Sequence, residues 1–75
     1  MKFFKPVVGE LWIVPYDHSV CFWDNSLLGD IVYAKKGDIF LVVELGEHFS
    51  TILFQEKLYE LSLESYNDIF VKKIK

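Results

Sequence analysis

The chain has 75 residues, 52% of them hydrophobic and 17% aromatic, which leaves room for one core and supplies enough apolar material to fill it without disulfides or a metal. We therefore expect a single domain spanning residues 1–75, with surplus apolar surface of the kind that marks a protein partner or self-association. The net charge is −3, and no Lys or Arg stands between Pro6 and Ala34, where Glu10, Asp17, Asp24 and Asp30 lie. Most of that surface would repel nucleic acid, leaving Lys35, Lys36 and the terminal lysines (Lys72, Lys73 and Lys75 at the C-terminal end) to contact phosphate.

Met1 to Gly9 lacks the pattern of a secretory leader. The longest apolar stretches, around Leu11–Val14 and Ile39–Val43, are strand-length and too short for a membrane span. Cys21 is the only cysteine, so no intrachain disulfide is expected, and the cytoplasm is the expected compartment.

In chain order, Leu11 to Tyr16 is apolar and β-prone and predicts the first strand, bounded by Gly9 before it and by Pro15 and Asp17 at its far end. Asp17 to Gly29 mixes polar residues with Val20, Phe22 and Trp23 and predicts a long hairpin-like loop with its own packed aromatics. Gly29-Asp30-Ile31 and Gly37-Asp38-Ile39 repeat one turn-then-strand signal. Lys35 to Asp38 predicts a compact turn with Gly37 at the positive φ of a type II turn, and Ile39 to Leu45 a strongly apolar strand.

Ser50 to Phe54 predicts the next strand, Gln55 to Lys57 a tight polar turn, and the alternation of Tyr59, Leu61 and Leu63 with Glu60, Ser62 and Glu64 a half-buried strand. Ser65 to Asp68 predicts a short helical turn before a last strand, Ile69 to Ile74. Phe54, Leu58 and Leu61 are also spaced for a helix face, so an α+β fold with a helix near residues 55–65 is the alternative. Period two over Tyr59 to Glu64 favours strands, and the expected class is all-β, with five to six strands.

The run Tyr33-Ala34-Lys35-Lys36-Gly37-Asp38-Ile39 resembles the diverging turn of SH3 domains, where a lysine-rich turn ending in Gly-Asp precedes a hydrophobic strand. Leu11 to Asp17 takes the place of the first SH3 strand, Asp17 to Gly29 that of the RT loop, and Ser65-Tyr66 that of the helical turn before the final strand. The same outline is similar to short SH3-like proteins of tailed phages. The resemblance implies a small SH3-like barrel, and for a phage protein the host cytoplasm. Tyr16 and Tyr66 match two groove tyrosines of the peptide-binding members. However, His48-Phe49 stands where those members carry a tryptophan, and the proline of their final turn is missing, so the resemblance carries fold further than Pro-rich peptide recognition.

Asp17, His18 and Cys21 hold the ingredients of an activated thiol, but a lone cysteine is more often a small buried hydrophobe, and no catalytic residues are assigned. His18, Cys21 and His48 lack the paired spacing of a zinc site, and no Asp-rich calcium loop is present, so neither a metal nor another cofactor is expected. The remaining candidates are Trp12, Tyr16, Phe22, Trp23 and Tyr66, because large aromatics supply most interface energy when exposed at the centre of a patch. The expected function is non-enzymatic: binding of a protein partner, or of a second copy, through these aromatics. A nucleic-acid-associated barrel using Lys35, Lys36 and the C-terminal lysines is the alternative.

Overall fold

The computed structural model describes residues 5–16, 20–24, 31–66 and 70–74. The strands are β1 Leu11–Ile13, β2 Val20–Asp24, β3 Ile31–Ala34, β4 Ile39–Leu45, β5 Phe49–Phe54, β6 Lys57–Ser62 and β7 Lys72–Lys73, with one 3₁₀ turn, Leu63–Ser65, after β6. They form a single sheet in the order β3-β2-β6-β5-β4-β1-β7, and every neighbouring pair is antiparallel. The all-β expectation holds, but the described residues carry seven strands where five to six were expected, because residues 20–24 of the expected loop form β2. The helix considered near residues 55–65 is replaced by β6, because period-two burial of Tyr59 and Leu61 pairs this segment with β5 along its whole length.

The sheet is open in its pairing, with β3 and β7 at its ends, yet it curls. Phe22 on β2 and Phe40 on β4 lie three strand spacings apart in the sheet order, which is about 14 Å in a flat sheet. Their ring centroids are 5.2 Å apart, so the sheet wraps around its buried face. A bulge in β4 contributes to this bend: Val42 pairs with Ile52 but Glu44 with Thr51, leaving Val43 as the extra residue. Strict alternation after Phe40 and Val42 would aim Glu44 inward. The bulge instead leaves Glu44 exposed and lets Leu45 pack against the core.

The core runs through Trp12, Val14, Phe22, Phe40, Val42, Ile52, Phe54, Tyr59, Leu61, Tyr66 and Val71. Phe22 is its hub, with Phe54 at 5.1 Å and nearly perpendicular, Phe40 similarly placed, and Tyr59 at 6.1 Å. Edge-to-face pairs of this kind add to the burial itself. The long loop expected over Asp17–Gly29 therefore contains a core strand, β2, whose inward side chains are Val20, Phe22 and Asp24. Asp24 is tolerated inside because Lys57 Nζ reaches its carboxylate at 2.6 Å from the solvent side.

Two turns set the registers. In Lys35–Asp38, Gly37 has φ +93°, the Asp38 N–H donates to the Lys35 carbonyl at 2.9 Å, and the Asp38 carboxylate accepts from the Lys35 N–H at 2.8 Å. This matches the expected type II geometry. The β5–β6 hairpin closes on Gln55 and Glu56, both at positive φ (52° and 65°) between the paired Phe54 and Lys57. Neither residue is one that favours the left-handed region, which costs ordinary L-residues about 1–2 kcal/mol each. Replacing the pair by Asn-Gly, the preferred sequence for such a two-residue turn, is expected to raise stability by about 1 kcal/mol. Urea unfolding would show a higher midpoint at unchanged slope.

Glu10 ties the first turn to β1 and β7. Its carboxylate accepts from the Val7 N–H at 2.8 Å and from Trp12 Nε1 at 3.3 Å, and Lys73 Nζ lies 3.0 Å away. Burial works to raise its pKa. The Val7 hydrogen bond, the Lys73 ammonium and the Trp12 indole outweigh that and hold it below the ordinary 4.5. Because the folded value is depressed, this stabilisation is complete above the unfolded pKa and is lost as pH falls through the folded value. Glu10→Gln is expected to cost about 1 kcal/mol at pH 7, with the difference from wild type vanishing in acid unfolding curves below the folded pKa.

Candidate functional site

The alternation that sends Phe22 inward sends Cys21 and Trp23 outward on β2. Register then sets Cys21 opposite Tyr33, and Trp23 opposite Ile31 on one side and Glu60 on the other. Trp23 is 48% exposed and Tyr33 59%, with Ile31 beside them at 38%. Four outward side chains on two adjacent strands thus form an apolar and aromatic patch. At its margin, Phe70 shares a shallow depression with Val20, Cys21, Trp23, Ser62 and Glu64. Glu60 and Glu64 give that side of the patch an acidic border, whereas Lys35 and Lys36 follow directly after β3.

Of the aromatics singled out from the sequence, the structure brings Trp12, Phe22 and Tyr66 together in the core and leaves Tyr16 and Trp23 exposed. Trp12 and Tyr66 meet edge-to-face at 4.9 Å, and Phe40 links Tyr66 to Phe22. These three build the scaffold and do not face a partner. Tyr16 follows β1, which β4, β5 and β6 separate from β2 in the sheet order. Tyr66 is closed off entirely, so it forms no groove wall. Its hydroxyl lies 2.5 Å from Ser50 Oγ, which bonds the Leu61 carbonyl at 3.1 Å. Since Ser50 has one hydroxyl proton and uses it on Leu61, Tyr66 is the donor in the first bond. Burial pushes the Tyr66 pKa up to about 12.

Sequence reading missed Ile31 and Tyr33, because their place beside Trp23 depends on the β2–β3 register, and residues 17–29 read as a loop. The available signal was the uncharged run Ile31-Val32-Tyr33-Ala34 after Gly29-Asp30. A second apolar row crosses the outer face of the opposite half of the sheet, where Leu11 pairs with Leu41, Leu41 with Leu53, and Leu53 with Leu58. It is purely aliphatic and lacks an aromatic anchor.

The residues weighed for chemistry are less assembled. Asp17 and His18 lie outside the described residues. Cys21 is exposed, a correction to the expectation of a small buried hydrophobe, and it follows from sharing the outward side of β2 with Trp23. His48 is exposed in the turn between β4 and β5. Among the described residues no group of three or more His, Cys, Asp or Glu stands close enough to hold a metal, and no helix is long and apolar enough to cross a membrane. Lys35, Lys36 and Lys72 are exposed, whereas Lys73 is engaged by Glu10. Comparison with protein-family models, curated proteins and solved structures finds no match for this chain.

Proposed function

We propose that the chain is a non-enzymatic protein-interaction domain whose contact surface is the outer face of the β2–β3 hairpin. The observation that carries this reading is the exposure of Trp23 and Tyr33 side by side with Ile31. Isolated exposed apolar residues are ordinary, but a contiguous group with a tryptophan and a tyrosine has the composition of an interface centre. The acidic border from Glu60 and Glu64 favours a protein over nucleic acid, and the ion pair of Lys73 with Glu10 takes one of the C-terminal lysines away from phosphate.

The finer fold reading is an SH3-like barrel, which the curl of the sheet and the Lys35–Asp38 turn support. With it goes the role suggested by the resemblance to phage SH3-like proteins, that of an accessory or host-interacting protein working in the host cytoplasm. The test is a comparison of wild type with Trp23→Ala and Tyr33→Ala, two outward positions whose replacement leaves the core intact. Self-association in solution, or retention of a defined set of proteins, should be present in wild type and lost in both variants, at unchanged melting temperature. Identical association and retention in all three chains would overturn the reading.

A further inference from the structure

The two ends of the sheet are treated differently by the sequence. At one end, β7 is only two residues long and both are lysines, the short, charged design that discourages another strand from adding. At the other end, β3 is Ile31-Val32-Tyr33-Ala34, with no charge and no proline. Its backbone pairs with β2 on one side, and among the described residues no strand lies on the other. An edge of this kind is a template for a further strand.

We infer that the occupant of this edge is a second copy of the chain, adding β3 to β3 in antiparallel fashion across a two-fold axis. The inference rests on the reading of the β2–β3 hairpin as an interaction surface and names what pairs with its free edge. Three features favour a copy of the same strand. First, a two-fold pairing keeps inner and outer faces together only when facing residues share parity, and pairing Val32 with Val32 of the partner subunit does so. Second, that register places Ile31 opposite Tyr33 of the partner subunit, and the converse, joining the two exposed patches across the axis. Third, Asp30 directly precedes β3 and Lys35 and Lys36 directly follow it. Antiparallel pairing sets the acidic end of one strand against the basic end of the other, whereas parallel pairing would oppose like charges. The contact is small, so it dissociates on dilution.

The test uses Cys21→Ser, which removes the exposed native thiol, carrying either Val32→Cys on the β3 edge or Lys72→Cys on the β7 edge. Under mild oxidation Val32→Cys should form a covalent dimer and Lys72→Cys should not. Light scattering on wild type should rise with concentration from 8.8 kDa towards twice that mass, and Tyr33→Lys, which places a charge on the outward side of the edge, should stay monomeric. A wild-type chain that is monomeric throughout overturns the second-copy inference while leaving a different protein as the partner of the same face. A dimer that survives Tyr33→Lys and is not trapped through Val32→Cys, but is lost in Trp23→Ala, overturns edge pairing and keeps the face. A dimer indifferent to all three substitutions overturns both.

Discussion

Phe22→Ala is expected to lower the unfolding free energy by about 3–5 kcal/mol. A domain of this size has about 4–11 kcal/mol in total, so the substitution removes a large share of it. The reason lies in where Phe22 sits. Its ring touches Phe40 on β4, Phe54 on β5 and Tyr59 on β6, and it is the contact that holds the curled sheet across its interior. Truncation leaves a cavity lined by three rings carried on three different strands, and these cannot collapse together without breaking ladders. Phe22→Leu retains most of the volume and should cost less than half as much. Chemical denaturation of both variants checks this; a loss below about 1 kcal/mol for Phe22→Ala would mean that the sheet does not depend on this ring.

Ser50→Ala is the second large effect, at about 2–3 kcal/mol, and it should exceed Tyr66→Phe. In wild type the Tyr66 hydroxyl donates to Ser50, which donates to Leu61. Removing the Ser50 hydroxyl strands the Tyr66 O–H in an apolar interior and also withdraws a donor from Leu61. Tyr66→Phe takes away one proton donor and leaves Ser50 still bonded to Leu61, at a cost of about 1 kcal/mol. Thermal unfolding of the two variants and the double variant would give the order, with the double variant less destabilised than the sum of the single ones. The raised pKa of Tyr66 adds a signature in alkali: its protonated form is favoured by the fold, so this contribution is intact below the ordinary tyrosine value and is lost as pH rises towards about 12.

Much of the fold follows from local patterns. The strand Ile39–Leu45 was expected with the bounds it has, because a charged turn with glycine at its third position hands over directly to an apolar run. The strand at Tyr59 was legible from strict alternation. β2 was not legible, although its burial alternates as cleanly. Its inward series ends on Asp24, and a buried aspartate is plausible only with Lys57 in view, which the fold brings from a distant hairpin. A helical turn stands at Leu63–Ser65, where Ser62 Oγ accepts from the Glu64 N–H and starts it, while Asn67 and Asp68 of the turn expected over Ser65–Asp68 lie outside the described residues.

The aromatic positions divide for the same reason. Trp12, Phe22 and Tyr66 are as large and as suited to an interface as Trp23, and what separates them is the curl of the sheet and the hydroxyl partner waiting at Ser50. Sequence supplies the number of aromatics but not the side of the sheet each one takes, because one step of register exchanges the faces. Trp23 and Tyr33 become a pair only once β2 and β3 are aligned.

The central claim, that the Trp23–Tyr33 face is the surface another protein covers, is tested most directly by iodide quenching of tryptophan fluorescence as the chain associates. Of its two tryptophans, Trp12 is buried at 5% exposure and Trp23 is open, so the quenchable signal in dilute solution belongs to Trp23. The account predicts that this signal becomes protected as the chain is loaded with its partner, in step with the rise in mass. Quenching that stays constant while the partner-bound mass rises would place that partner's contact off this face and would contradict it.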